Sequence, residues 1–505
     1  MSELSLPLRA EGNLGNRNSA LFLILAAEAA ILCLPTKWLG SFGLLLVAVA
    51  AFFVIAVAVV TSRKHFLIFG WVATFPLGYY FFSFPKEHSV ITMDRVFIAL
   101  LLAAAIFTKG QHIWKVSRGL RRSAIGWSIF LLFAATTIPR STTPLGTLRM
   151  WLDVFVLPGI LAWYVLRYID VRRCMSALHI TASVMTIYVA GIGVAEVALQ
   201  RDLLPLPEGG VVVAGDYDAA PDNLAAQILV RPNGPFATVN SLAMVGVVSL
   251  FFLLFLRKTL SDHMPAWQTM LHRVAIAAAV AQSLLPLYKS ILFSFLIILV
   301  VDSFYERGWR RALRIALMGG AGLVVLALAV ALPDVFTERA DPITFYARLA
   351  QEKQTLVLFF SHPINGVGLN NFHDVAAKMP LTYYENGEVL DYPHNNLGAV
   401  LAETGITGFL PFLASQVLLL SAFWKLRRIK SNDSKLVWRT FLLIFVSFWI
   451  NGMALTIVYF QDLNLWYMFV LAVLYKFATT YTGKSSELKR DRRNPEPHWG
   501  GLITA

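Results

Sequence analysis

The sequence predicts an all-α polytopic membrane protein, and three observations carry that prediction: composition, block length and the placement of charge. Of 505 residues, 57% are hydrophobic and only 14% are charged, where an average soluble domain carries about 25% charged residues. The apolar residues fall in uninterrupted blocks, among them 42–60, 241–256, 312–332 and 441–460. Such blocks approach the about 17–25 residues that cross roughly 30 Å of hydrocarbon. Helices satisfy that much backbone in lipid because each bonds within itself. The net charge of +13 would suit a nucleic-acid partner, but its distribution along the chain assigns it a different role.

In chain order, about 14 spans are predicted, at 20–35, 42–61, 66–84, 91–108, 124–139, 150–169, 176–198, 240–256, 273–287, 290–305, 312–332, 395–424, 440–460 and 465–481. The first lacks a cleavage site of small residues and is expected to stay as a helix. With both termini in the cytoplasm, roughly 31 of the 43 Lys and Arg fall on the inner side, the bias that sets membrane orientation. The inner clusters include 63–64, 109–122, 172–173, 307–314, 425–430 and 489–493. The charge therefore anchors topology, and no nucleic acid is expected as a partner. Cys33 and Cys174 fall in or beside apolar spans and read as small core residues, with no metal spacing or disulfide framework.

This topology leaves two long outer loops, 199–240 and 333–393, both rich in Gly, Pro and Asp. Loops of that length are usually functional. Within the second, Phe345, Leu349, Leu356, Phe359 and Phe360 recur at helical spacing, which predicts an amphipathic helix over 345–360 lying on the bundle. The cytoplasmic loops are too short for a nucleotide-binding domain, and the chain has neither a Walker motif nor a dinucleotide fingerprint. Chemistry is expected at the outer face, on a substrate that arrives already activated. Three segments are expected: 1–224, the N-terminal helices and the first part of a long loop; 225–482, a membrane region with the functional loop 333–394; and a basic cytoplasmic tail, 483–505.

Several outer-face residues have the right chemistry. His394 follows Pro393, which suits the first turn of a helix, so the histidine is expected at a helix N-terminus, where the positive helix end disfavours the imidazolium. The same residue could equally serve as a cap or an interfacial histidine. Glu403, nine residues on, lies on the far side of a continuous helix and reads as an interhelical hydrogen-bonding group. Arg231 opens Arg231-Pro232-Asn233-Gly234-Pro235-Phe236, ahead of Asn240. Arg348 lies on the amphipathic segment, and Lys289-Ser290 makes a tight turn between apolar runs. Arginine grips phosphate oxygens with two parallel bonds and lysine adds a point charge, so the three cations suit a diphosphate. Lys289 could instead snorkel, and Arg348 could pair with Glu352. The irregular spacing of His362, His373 and His394 does not suit a metal, and Asp216, Asp218 and Asp222 lack calcium-loop spacing.

His394-Asn395, nine residues, Gly405, two residues and Gly408 resemble the signature of the O-antigen ligases and the Wzy-type O-antigen and exopolysaccharide polymerases. The stretch 362–368 with Phe372 is similar to that family's "hPl.GvG…F" segment, Arg348 to its upstream loop arginine, and 231–240 to its "R..G.f..pN" stretch. The resemblance covers roughly 225–480. One departure is Tyr288-Lys289-Ser290, where many ligases have Ser-Arg; the charge stays but the fork is lost.

The resemblance implies a glycosyltransferase architecture of the GT-C-like kind in the bacterial inner membrane. It implies a donor glycan on undecaprenyl diphosphate, an acceptor that is another glycan or lipid A-core, and no metal or cofactor. His394 would be the catalytic base, Arg231, Arg348 and Lys289 would bind the diphosphate, and Asn240, Ser290, Asn395, Glu403, Gly405 and Gly408 would support them. A polymerase is favoured slightly over a ligase, and chain-length or assembly proteins are further expected partners. The competing readings are a transporter of lipid-linked oligosaccharide and a structural subunit of an export complex. A transporter would collect its charges at the midplane rather than at one face.

Overall fold

The computed structural model describes residues 65–77, 83–84, 91–107, 117–199, 201, 203–204, 232–236, 238–260, 264–286, 289–311, 313, 316–317, 342–379, 393–428 and 431–493. Helix dominates. In order come α1 (His65–Thr74), α2 (Met93–Phe107), α3 (Arg118–Thr137), α4 (Pro144–Met150), α5 (Leu157–Tyr168), α6 (Val171–Leu199) and α7 (Val239–Leu260). There follow α8 (Ala266–Leu284), α9 (Lys289–Arg307), α10 (Pro342–Ser361), α11 (Phe372–Ala376), α12 (Asn396–Leu426), α13 (Asn432–Gly452) and α14 (Gln461–Arg493). Two-residue strands, Ser83–Phe84 and Ile91–Thr92, pair antiparallel ahead of α2.

Among the described residues, six helical stretches are long and apolar enough to cross a membrane: Arg118–Arg140, Pro144–Tyr168, Val171–Leu199, Val239–Leu260, Asn396–Leu426 and Asn432–Gly452. The predicted spans 20–35 and 42–61, with nearly all of 312–332, lie outside the described residues. The span expected at 440–460 is displaced. Its helix runs Asn432–Gly452, and 457–459 form a separate short turn. Hydropathy missed this because Arg439 sits inside the helix and is neutralised by Asp302 of α9, with Nη2 to Oδ2 at 2.6 Å. A paired charge costs a span far less than a bare one.

Since lipid is as apolar as leucine, helices in a bilayer associate through close packing and polar contacts rather than water exclusion. The α3–α12 seam shows how. A Cβ added at Gly119 would lie 3.3 Å from Ala422, and one at Gly126 3.3 Å from both Pro411 O and the Ser415 side chain. Ser123 donates to Ser415 O at 2.8 Å between them. Three small residues, spaced along one stripe, let the two backbones approach.

Stretch 144–168 is interrupted by a π-helical segment, Trp151–Val156. It carries Asp153, which accepts two bonds from Arg95 of α2, at 2.7 and 2.6 Å, and lies 3.8 Å from Arg149. The neighbouring Asp94 accepts from the Trp71 indole at 2.9 Å.

The buried residues form two clusters. The larger joins α1, α7 and α14 through stacked and edge-on rings such as Trp71, Phe75 and Trp466. The smaller packs Phe130, Phe155 and Phe412 against Leu358, Leu369, Phe372, Ala399, Val400 and Tyr459, and it floors the site.

Candidate active site

Four connections meet at one end of the bundle. Asn371, buried on the loop before α11, accepts from the Thr142 backbone at 3.0 Å and donates to Arg140 O at 3.2 Å, tying that loop to the α3–α4 corner. Leu369 N reaches Thr137 Oγ1 at 3.0 Å. The chain entering α12 is tied to the segment after α13: Thr456 Oγ1 donates to Pro393 O, and Val458 N donates to Asn396 Oδ1 at 2.9 Å.

The helix carrying the signature glycines is broken at Gly405, whose φ of 60° and ψ of −168° leave the helical region. The break frees backbone groups, and loop 362–371 takes them up. Val367 N donates to Ala402 O, Gly368 N to Glu403 O and Ile406 N to Pro363 O, each at 2.9 Å. The contact is so close that a Cβ at Gly405 would lie 2.3 Å from Ile364 O, and one at Gly366 2.3 Å from the Glu403 carbonyl. Both also hold positive φ, so no other residue fits either place without strain. Gly408 is excluded from enlargement by Thr404, 2.4 Å from its would-be Cβ. The glycines of the two resembling motifs are thus two halves of one joint, and their task is architecture.

Glu403 completes the joint. It is fully buried on α12 and accepts from Tyr459 OH at 2.5 Å, with the backbone N–H groups of Asn370 and Phe372 also directed at its carboxyl. Glu403 thus ties α12 to the short turn 457–459 and to the loop before α11.

His394 lies differently from expectation. α12 begins at Asn396, and Asn395 is its cap, accepting from Leu397 N at 2.9 Å and Gly398 N at 3.4 Å. Pro393 is therefore outside the helix rather than in its first turn, and partly exposed His394 directly precedes the cap. Polar capping outcompetes proline here because Asn395 satisfies two orphan N–H groups where Pro393 could satisfy none.

α10 packs on this corner. Glu352 takes a side-chain hydrogen bond from Asn395, and Thr355 Cγ2 stands 3.1 Å from a would-be Cβ on Gly398. Half-buried Glu352 has its carboxyl pushed above the ordinary carboxylate range by burial, a shift that the Asn395 bond opposes. Arg348 lies one turn before Glu352 on the same helix, so the backbone carries that position alongside the His394 corner. Its side chain lies outside what the structure describes, as does that of Lys289, the first residue of α9. Ser290 follows it, partly buried. Arg231 lies just outside the described residues, but the turn after it is fixed: Gly234 N donates to Glu196 Oε2 at 2.7 Å, and Asn240 is buried at the start of α7. Among the described residues, no three His, Cys, Asp or Glu side chains are placed to hold a metal ion.

Two residues escaped the sequence reading. Glu196, buried at the end of α6, organises the turn after Arg231 from 38 residues away; a carboxylate inside an apolar span was the available signal. Glu352 was read only against Arg348, and its bond to Asn395 depends on how α10 docks.

A family model described as O-antigen ligase matches residues 235–413. The matched stretch includes Lys289, Ser290, Arg348, Glu352, His394, Asn395, Glu403, Gly405 and Gly408, and begins four residues after Arg231. No curated protein matches the chain. Over residues 235–413, the joint and the histidine corner included, the chain is similar to the O-antigen ligases.

Proposed function

We propose that the protein is a membrane glycosyltransferase that moves a glycan from undecaprenyl diphosphate to an acceptor sugar hydroxyl at the periplasmic face of the inner membrane. In this reading the chain makes about 14 crossings with both termini cytoplasmic, 225–482 is the transferase region, and loop 333–394 closes over the sugars. The supporting observation is the docking of α10 on the His394 corner through Glu352–Asn395 and Thr355–Gly398. It brings the backbone of a loop arginine alongside a partly exposed histidine.

His394, as general base, takes the proton of the acceptor hydroxyl while its oxygen bonds to the anomeric carbon. The bond from that carbon to the diphosphate oxygen breaks, and undecaprenyl diphosphate leaves with the electron pair. Positioned bases contribute about 10²–10⁴ in rate. Arg231, Arg348 and Lys289 hold the diphosphate and offset the charge it gains on departure; Asn240 and Ser290 support them. The acceptor is read as another glycan, which makes the protein a polymerase; lipid A-core as acceptor would make it a ligase.

The test is purified protein reconstituted with an undecaprenyl-diphosphate oligosaccharide, beside His394→Ala. A ladder of lengthening products that disappears in a well-folded mutant is expected. Transfer only to added lipid A-core would reassign it as a ligase, and near-normal activity in His394→Ala would sink the mechanism. An intact donor that instead crosses the bilayer of a liposome would favour a transporter.

A further inference from the structure

Beside the His394 corner lies a row of carboxamides that the mechanism does not use. α10 turns Gln351, Gln354, Thr355 and Leu358 toward α12: Leu358 joins the apolar cluster with Ala399 and Val400, and Thr355 meets the Gly398 backbone. The Thr355 hydroxyl is occupied by the Gln351 carbonyl of its own helix, at 2.7 Å. Gln351 and Gln354 are only 7% and 3% exposed. Yet both amide atoms of Gln354, and Oε1 of Gln351, have no hydrogen-bond partner. Buried polar atoms are nearly always bonded, and each exception calls for a cause. Leucine or methionine at these places would fill the seam without leaving bonds unmade.

We propose that the seam between α10 and α12 reads the sugars: Gln351 and Gln354 bond hydroxyls of the glycan handed across at His394, with Glu352 at the mouth. A carboxamide offers one acceptor oxygen and two N–H donors on a single group, the complement of a hydroxyl that both donates and accepts. A diphosphate would call for cations at this place and a polyprenyl chain for apolar side chains; the seam offers neither at Gln351 and Gln354. Glu352 adds an acceptor at the half-buried edge, where its bond to Asn395 fixes it beside His394. The rotatable bonds of each glutamine let the amide swing from the seam toward that edge. The inference rests on the transferase reading and deepens it, assigning phosphate binding and sugar reading to different residues.

The experiment uses the full chain in lipid nanodiscs, titrated with two probes. One is the lipid-linked oligosaccharide extracted from the source strain deleted for this gene; the other is bare undecaprenyl diphosphate. The wild type is expected to bind the glycosylated lipid about tenfold more tightly than the bare one, the scale of one or two net hydrogen bonds. Gln354→Met is expected to bring that ratio close to one, while its melting temperature without ligand equals or exceeds that of the wild type. Three results overturn the proposal: equal binding of both lipids by the wild type, an unchanged ratio in both Gln354→Met and Gln351→Met, or a lowered melting temperature in Gln354→Met, which would make the amide a structural group. Failure of the wild type to bind either lipid would overturn the transferase reading along with it.

Discussion

The joint between loop 362–371 and α12 and the seam between α10 and α12 meet the same helix about one turn apart, yet they are built differently. In the joint, the helix break at Gly405 is answered by backbone bonds from the loop, and Glu403 collects Tyr459 and the N–H groups of Asn370 and Phe372. In the seam, amide atoms of Gln351 and Gln354 are buried without partners. Backbone bonds across a helix break hold one geometry, whereas the side-chain amides of the seam leave donors and acceptors to be met by something else. The glycines that make the motif visible in the sequence are therefore part of its scaffold.

That contrast can be broken at either side. The largest effect is expected from Gly405→Ala, because a methyl 2.3 Å from Ile364 O cannot be accommodated while the loop stays paired. Loss of monodisperse protein on detergent size-exclusion chromatography is expected; a variant that folds and melts normally would refute the joint. Next comes His394→Ala, with transfer reduced by about 10² or more and an unchanged melting temperature, the pairing that separates chemistry from scaffold. Arg348→Lys is expected to lower turnover by about tenfold, since a point charge does not replace a two-pronged grip; unchanged kinetics would make Arg348 structural.

The smallest effect concerns Glu352. Burial raises its folded pKa above the ordinary 4.5, so above that pH the unfolded chain releases the proton sooner than the folded one, and stability falls as pH rises through the interval. Glu352→Gln removes this penalty. Its melting temperature relative to the wild type should be higher at pH 7 than at pH 4, and a difference independent of pH would show that burial does not act on this carboxyl.

The sequence displayed what depends on residues taken singly or at short range: apolar blocks, clusters of basic residues between them, and a histidine followed at fixed spacing by two glycines. It did not display what depends on docking. Gly405 looks like part of a motif around His394, but its constraint comes from Ile364, which reaches it only when the loop folds back. The span expected at 440–460 slid to Asn432–Gly452 because hydropathy counts Arg439 as a cost and cannot see Asp302, 137 residues earlier. Pro393 suggested a helix start that the Asn395 cap placed later. Gln351 and Gln354 stood out in no motif, and they are buried where α10 docks on α12.

The Arg95–Asp153 pair imposes an order on how the chain is made. Asp153 stands well inside the stretch Pro144–Tyr168, and a carboxylate there costs about 2.5–3.5 kcal/mol to place in a bilayer on insertion scales. Its partner on α2 is synthesised 58 residues earlier. At roughly 5–20 residues per second, Arg95 emerges several seconds ahead of the acid it will neutralise. The stretch Pro144–Tyr168 therefore enters the membrane against a cation already in place, and α2 acts as an assembly template for it.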